Sequence, residues 1–325
     1  MAIFLSEADI GGLITSVDAI DAAEEVTKIN GQDGVINPPR QQIDTPGGYL
    51  RLTSAIVTPM KKIAVKVSSS MVFNSDPDRT LLLIDSKTGR VDAIIEVFRL
   101  GALRTAAASG VATKYLAQEN ATSLDVIGAG RQARTQIFAI CAVRPIENIM
   151  VLGRDQTKTF EFCEEMSSEF GFPVNVAKDH LDLYDCSIIC TATTSHNPVL
   201  FGKNLRPGTH INSIGANRME RQELDDEVIP KCSLVTVDNK DQAQKESALI
   251  NRAIKNGNLL FVGMMCTNYP TASKQKAKST DNQVLSHSTI LTKSPWRMSR
   301  SRPKLSIWPT RKASDLLLSL LVPKM

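Results

Sequence analysis

Leu124-Asp125-Val126-Ile127-Gly128-Ala129-Gly130-Arg131-Gln132-Ala133 is the stretch on which the reading of this chain turns. An apolar strand runs into a GxGxxA turn that opens a helix. Gly128 permits the tight turn, Gly130 removes a side chain so that backbone amides can approach a diphosphate, and Ala133 lets the helix pack close to the strand. The helix start offers unpaired N–H groups and the positive end of its dipole to an anion. A glycine-rich turn alone is weak evidence, because many strand-to-helix junctions carry one. Its surroundings decide the matter.

Downstream, short apolar strands alternate with amphipathic helices: RQARTQIFAICAV, NIMVLGR, TKTFEFCEEMSSEFG, PVNVA, CSIICTATTS, HINSIGA and LVTVD follow in turn. This rhythm predicts βαβ units and a doubly wound parallel sheet, a Rossmann domain over residues 118–263 that binds NADP(H) or NAD(H). At the end of the second strand, Gly153-Arg154-Asp155 puts an arginine before the acidic residue. Arg154 suits a 2′-phosphate and Asp155 sits one position beyond the usual acidic site, so the expectation leans to NADP(H); a solvated loop arginine is the plainer alternative. Thr191 and Thr193 fall where ligands bind in such sheets, outside the carboxyl ends of the strands, although threonines also form turns there.

Upstream, residues 1–117 mix strand-like runs (YLRLTSAIV, KIAVKVSSS, TLLLID, VDAIIEV) with turn punctuation and then a helical pattern from Leu100 to Ala117. The expected fold class is therefore α/β: the Rossmann sheet plus an α+β substrate-binding and dimerisation domain. Two domains also suit 325 residues. A net charge of +4, with the excess in the last quarter, gives no case for nucleic acid. No apolar run reaches the roughly 18 residues of a membrane span, and the start lacks the basic and long apolar regions of a signal peptide, so a cytoplasmic protein is expected. Six cysteines show no CxxC pair and no histidine spacing that would hold zinc, and they read as small buried thiols.

Three cations stand in apolar or small surroundings: Arg40 after Pro38-Pro39, Lys66 within IAVKV, and Arg104 in LRTA. Lys66 alternates onto the face opposite Val65 and Val67, which in an ordinary half-buried strand is the solvent face. Singly, each reads as a surface charge. Together they supply what a carboxylate substrate needs: arginine forks to anchor it and a lysine, whose pKa falls readily when desolvated beside cations, to move a proton at an imine or carbonyl.

PPR, IAVKV, ALRTAAASGVATKYLA, IGAGRQARTQ, CTATTSHNPVLFG, LRPGTHINSIGA and RQELDDEV occur here in an order and spacing that resemble the ornithine cyclodeaminase / mu-crystallin family, from the first residues to about Gly263. The resemblance implies a homodimer of NAD(P)-dependent subunits acting on a small imino or amino acid. Carried over by position, it assigns Arg40, Lys66 and Arg104 to the substrate pocket, with Lys66 catalytic. It assigns Gly128, Ala129, Gly130, Arg131 and Gln132 to the diphosphate, Arg154, Asp155 and Lys158 to the ribose region, and Thr193 and Ile214 to the nicotinamide side. No metal ligand is expected.

Two departures bear on chemistry. Cyclodeaminases of the family carry an aspartate where this chain has Asn217, and an amide is no general base at neutral pH. The expected activity is therefore reduction of a cyclic ketimine or a 2-oxo/imino acid. Ornithine cyclodeamination and non-catalytic NADPH and small-ligand binding, as in mu-crystallin-like proteins, are the alternatives. The stretch Gly48–Ala55 also departs, since relatives commonly show Met-Pro-Ala near its end; Arg51 is either an added substrate contact or simply exposed. From Met264 to Met325 no sustained period of either kind is visible. Plausible codons for that tail, read two bases out of phase, yield strings such as DVHELSD and DKVTVEDV that look like the family's ending, which leads to the expectation of a frameshifted or disordered tail over 264–325.

Overall fold

The computed structural model describes residues 2–71, 79–259, 263–264 and 283–287. Within them the chain builds two sheets. The first contains β1 (Ile3–Leu5), β2 (Val35–Ile36), β3 (Gln41–Thr45), β4 (Gly48–Val57), β5 (Lys62–Met71), β6 (Arg79–Asp85) and β7 (Val91–Glu96), in the order β1-β7-β6-β5-β4-β2 with β3 also paired to β4. Its pairings are antiparallel except β1 with β7. Helices α1 (Glu7–Ile10) and α2 (Ser16–Asn30) start at Ser6 and Thr15, each closing a capping box with the aspartate three residues on. Helix α3 (Phe98–Leu116) has no cap of its own. The Glu7 carboxylate accepts from the Phe98 and Arg99 amides instead, tying the start of α3 to α1.

Alternation along the strands sorts their side chains into two faces. Ala55, Val57, Ala64, Leu81, Leu83, Ala93 and Ile95 share one face and are buried. They pack under α1, α2 and α3, whose Ile10, Ile20, Ala23, Val26, Ala106 and Val111 complete that core. On the other face Leu50, Leu52, Ile56, Ile63, Val65, Val67, Leu82, Ile84 and Ile94 are only half-buried in the single chain.

The second sheet is parallel throughout, in the order β10-β9-β8-β11-β12-β15-β13-β14. Its strands are β8 (Ser123–Ile127), β9 (Asn148–Leu152), β10 (Val174–Val176), β11 (Ile188–Thr191), β12 (His210–Ser213), β13 (Cys232–Val237), β14 (Gly263–Met264) and β15 (Gln283–His287). Helices α4 (Arg131–Cys141), α5 (Gln156–Phe170), α6 (Val228–Lys231), α7 (Lys240–Glu246) and α8 (Ala248–Lys255) connect them. Strand order reverses beside β8, where β9 and β10 lie on one side and β11 and β12 on the other. That crevice is where dinucleotides bind in doubly wound sheets.

One expectation needs correcting. The expected Rossmann boundary at residue 263 leaves out β15, which sits inside the sheet between β12 and β13. The rest of the anticipated tail, 265–282 and 288–325, lies outside the described residues.

The two sheets are joined through α3 and α4. Gly110 is the close point: a methyl group there would meet Ile20 side-chain carbons at 2.8 Å and the Ala139 carbonyl at 3.4 Å. Arg144, 7% exposed, donates to the carbonyls of Lys114, Ala117 and Gln118 at 2.8–2.9 Å and so caps the end of α3. Asn212 of β12 donates to Thr113 of α3 at 3.0 Å. Among the described residues no helix is long and apolar enough to cross a membrane. Cys163 and Cys190 are buried, Cys141, Cys186 and Cys232 half-buried, and burial pushes all five thiols up. Cys266 lies outside the described residues.

Candidate active site

At the C-terminal end of β8 the backbone turns with Gly128 at φ +117°, a conformation that side chains rarely adopt. A Cβ there would stand 2.5 Å from the Ala192 carbonyl oxygen, so glycine is required on two counts. Gly130 differs: a Cβ built there meets nothing within 4 Å. Gly130 also occupies the N-cap position of α4, and no side chain caps that helix. Open space, bare backbone and an uncapped helix start are what an anion requires, and Ala133, fully buried, seats the helix against the sheet as the spacing predicts. The Gln132 side-chain oxygen is buried there without a hydrogen-bond partner among the described residues. Arg131, exposed at the first turn, lies 3.7 Å over the Phe98 ring and so links this corner to α3. These residues fit the diphosphate of a dinucleotide.

Beyond the end of β9 come Arg154 and Asp155 and, in the first turn of α5, Lys158, all exposed. Asp155 serves as the N-cap of α5, accepting from the Lys158 amide at 3.2 Å, and its carboxylate stands 3.8 Å from the Lys158 ammonium. Its acceptor capacity is partly committed to the helix, while Arg154 stands beside it at the surface.

The wall opposite the glycine corner is built around Glu223, which is fully buried. Its carboxylate accepts from the Thr191 and Ser213 hydroxyls at 2.9 and 3.1 Å and from the Thr193 and Gly215 amides at 2.6 and 2.7 Å. One side chain thus ties together the carboxyl ends of β11 and β12. A Cβ on Gly215 would collide with the Thr193 carbonyl oxygen at 1.9 Å and with Glu223 at 2.5 Å, so the two loops touch backbone to backbone. Thr193 is half-buried just beyond the carboxyl end of β11, and Ile214 is buried just beyond that of β12. Sequence reasoning did not single out Glu223; within RQELDDEV it is one acidic residue among four.

The cations of the first domain take a different face from the plain expectation. Lys66 pairs across the strands with Thr53 and Leu81, and Leu81 with Ile95. Thr53, Leu81 and Ile95 are all buried, so Lys66 shares the covered face, and Val65 and Val67 take the open one. The solvent reading of that lysine is overturned because α1, α2 and α3 lie over its side of the sheet. Arg104, half-buried on α3, is lowered to about 10 by burial, with Asp238 opposing and Arg79 adding to the shift. Burial, followed by the fields of Arg51 and Arg218, lowers Arg40 to about 10 as well, again against Asp238. Both guanidinium groups stay charged at neutral pH. Arg40 forms an ion pair with Glu246 of α7. Asp238, at the end of β13, and Glu246 therefore bring the Rossmann domain against the cationic floor of the first domain, and neither was singled out in the sequence.

The profile of the ornithine cyclodeaminase/mu-crystallin family matches residues 2–267. The chain belongs to this family. A Delta(1)-pyrroline-2-carboxylate reductase of Bacillus cereus is 35% identical over 199 residues, which is 61% of this chain and 61% of that protein. An alanine dehydrogenase of Archaeoglobus fulgidus is 30% identical over 263 residues, 78% of this chain and 79% of the relative. Among solved structures, the Delta(1)-pyrroline-2-carboxylate reductase of Thermococcus litoralis in complex with NADH and L-proline superposes with a TM-score of 0.80 at 28% identity, covering 98% of this chain and 96% of the other. The matched region spans about three fifths of the length of the curated reductases.

Proposed function

We propose that this chain is an NAD(P)H-dependent reductase of a small imino or 2-oxo acid. The observation that carries the reading is the placement of Lys66 on the covered face of the first sheet, with Arg40 and Arg104 drawn toward Asp238 at the carboxyl end of the parallel sheet. A reduced nicotinamide, when bound, supplies a hydride to the C=N or C=O carbon. The chain's own residues do the rest. Arg40 and Arg104 clamp the substrate carboxylate, which orients the planar imine. Lys66 delivers the proton to the imine nitrogen or carbonyl oxygen. Glu223 holds the Thr193 and Gly215 backbone rigid behind the nicotinamide side. The glycine corner with Arg131 and Gln132 receives the diphosphate, and Arg154, Asp155 and Lys158 border the ribose. Because Asp155 is engaged as a helix cap, Arg154 is the group left to meet a 2′-phosphate, which favours NADP(H) over NAD(H).

Asn217 is exposed at the head of the loop after β12. An amide at this position supports reduction over cyclodeamination, since an amide is no general base for the protons of ammonia loss. The half-buried apolar face of the first sheet supports a homodimer in which a second copy covers it.

The test is loss of reduced-nicotinamide absorbance with pyrroline-2-carboxylate, piperideine-2-carboxylate or pyruvate plus ammonia. We expect turnover with at least one of them, and a fall in kcat of about 100-fold or more for Lys66→Ala with cofactor affinity retained, in keeping with loss of a general acid. Ammonia release from ornithine without net absorbance change points to the cyclodeaminase instead. Tight binding of NADPH and ligand without turnover points to a binding protein.

A further inference from the structure

The inward face of β4 carries Tyr49, Arg51 and Thr53 in alternation, and Arg51 pairs with Ser68 across β5 where Thr53 pairs with Lys66. Arg51 therefore lies one row along the covered face from Lys66, a diagonal separation of roughly 7–8 Å between backbones. Nothing in the clamp described above uses it. Its guanidinium is held in place from two sides, accepting no freedom to swing away: one nitrogen donates to Gln42 at 2.8 Å, and the group lies 4.8 Å over the Tyr49 ring. The third nitrogen, Nε, is buried with no hydrogen-bond partner among the described residues. From the Rossmann side Arg218 reaches over, donating to the Tyr49 hydroxyl at 2.7 Å with its guanidinium 5.7 Å from the same ring.

Arg40, Arg51 and Arg218 thus converge about one tyrosine. Burial and the field of Arg218 lower Arg51, so the like charges are felt. Glu246 answers Arg40, and Glu220 stands 3.7 Å from Arg218. Among the described residues Arg51 itself contacts the neutral Gln42, whose amide in turn donates to Asp44 at 2.8 Å, and the face of a phenol, with no carboxylate in direct contact. A closed apolar wall would need no guanidinium at this position, and a buried donor left unpaired costs stability. The arrangement is explained if an anionic acceptor arrives with the substrate.

We propose that Arg51, with Arg218 and Tyr49, forms a second carboxylate subsite, so that the preferred substrate is a 2-imino dicarboxylate of four or five carbons rather than a monocarboxylate. The inference rests on the reductase reading and names the substrate class of that site. The carboxylate next to the imine stays with Arg40 and Arg104, and the distal one meets Arg51. In the reaction the C=N bond becomes C–N: Lys66 gives the proton to nitrogen, C2 takes the hydride that a reduced nicotinamide would supply when bound, itself becoming oxidised, and the distal carboxylate is unchanged.

The experiment uses the full chain with reduced nicotinamide and compares oxaloacetate plus ammonium with pyruvate plus ammonium, each carbonyl condensing with ammonia to its imine. The expected kcat/KM is at least about tenfold higher for the dicarboxylate. Arg51→Leu is expected to lower that ratio by about tenfold or more, chiefly through KM, and Arg51→Lys to restore part of it, as befits a charged hydrogen bond. In parallel, succinate and propionate are titrated into the complex with nicotinamide dinucleotide, with tighter binding of succinate expected. Equal kcat/KM for the two imines, with R51L altering both alike, overturns the subsite and leaves the reductase standing. Failure to reduce any imine, while succinate still outbinds propionate and R51L removes the difference, overturns the reductase and keeps the subsite.

Discussion

Glu223 concentrates at one carboxylate the problem of joining two strand ends next to a cofactor crevice. Two hydroxyls and two amides converge on it in a site fully closed to water. Replacement by glutamine keeps the shape but turns an –NH2 toward donors, so at least one of Thr191, Ser213, Thr193 or Gly215 loses its acceptor. Glu223→Gln is expected to cost about 1–3 kcal/mol in urea unfolding and to weaken dinucleotide binding. Unchanged unfolding would show that the knot carries no weight. Residues of this sort were poorly legible in the sequence. The glycines could be read, because the turn at Gly128, with φ +117°, demands glycine by local geometry, and a bare residue at the helix start is what leaves room for a diphosphate. The acceptor knot, Asp238 and Glu246 act across distances in the chain that local spacing does not encode. Lys66 was half legible: alternation put it opposite the two valines, but which face is covered depends on where α2 and α3 come to rest.

At the scale of elements, α2 and α3 are pinned to one another by Glu24, a buried residue of α2 that accepts from Lys28, Lys114 and Tyr115. Burial pushes the Glu24 carboxyl up, but those three hydrogen bonds outweigh it and hold the group down at about 2, against an ordinary value of 4.5. A carboxyl whose folded pKa is depressed contributes its stability in full above the unfolded value and loses it as pH falls through the folded one. Thermal stability should therefore decline between about pH 4.5 and pH 2, and Glu24→Gln should flatten that decline while lowering Tm near neutrality. A variant whose Tm tracks the parent at every pH would contradict the assignment. Part of this was readable from period alone, since YLRLTSAIV, KIAVKVSSS, TLLLID and VDAIIEV fall on β4 to β7 and the helical pattern from Leu100 falls on α3, whereas α1, α2 and β1 to β3 were not read. Nor was strand β15, because five residues of QVLSH in a stretch without a sustained period carry too little pattern to stand out, and its place between β12 and β13 is set by the sheet.

For the whole molecule, two sheets are held together by α3, α4 and Arg144, so that the cationic floor of one meets the carboxyl ends of the strands of the other. The family resemblance read from linked motifs agrees with the match over residues 2–267. What ties fold to function is the glycine corner at β8. The most direct test is titration of the full chain with NADPH and NADH, followed by nicotinamide fluorescence, beside the variant Gly130→Asp, which fills the open space at the start of α4 and adds a negative charge where the diphosphate belongs. Saturable binding by the parent, tighter for NADPH, and a loss of at least about tenfold in the variant with its thermal unfolding retained is the predicted result. A parent chain that binds neither nucleotide, or a variant that binds as well as the parent, would contradict it.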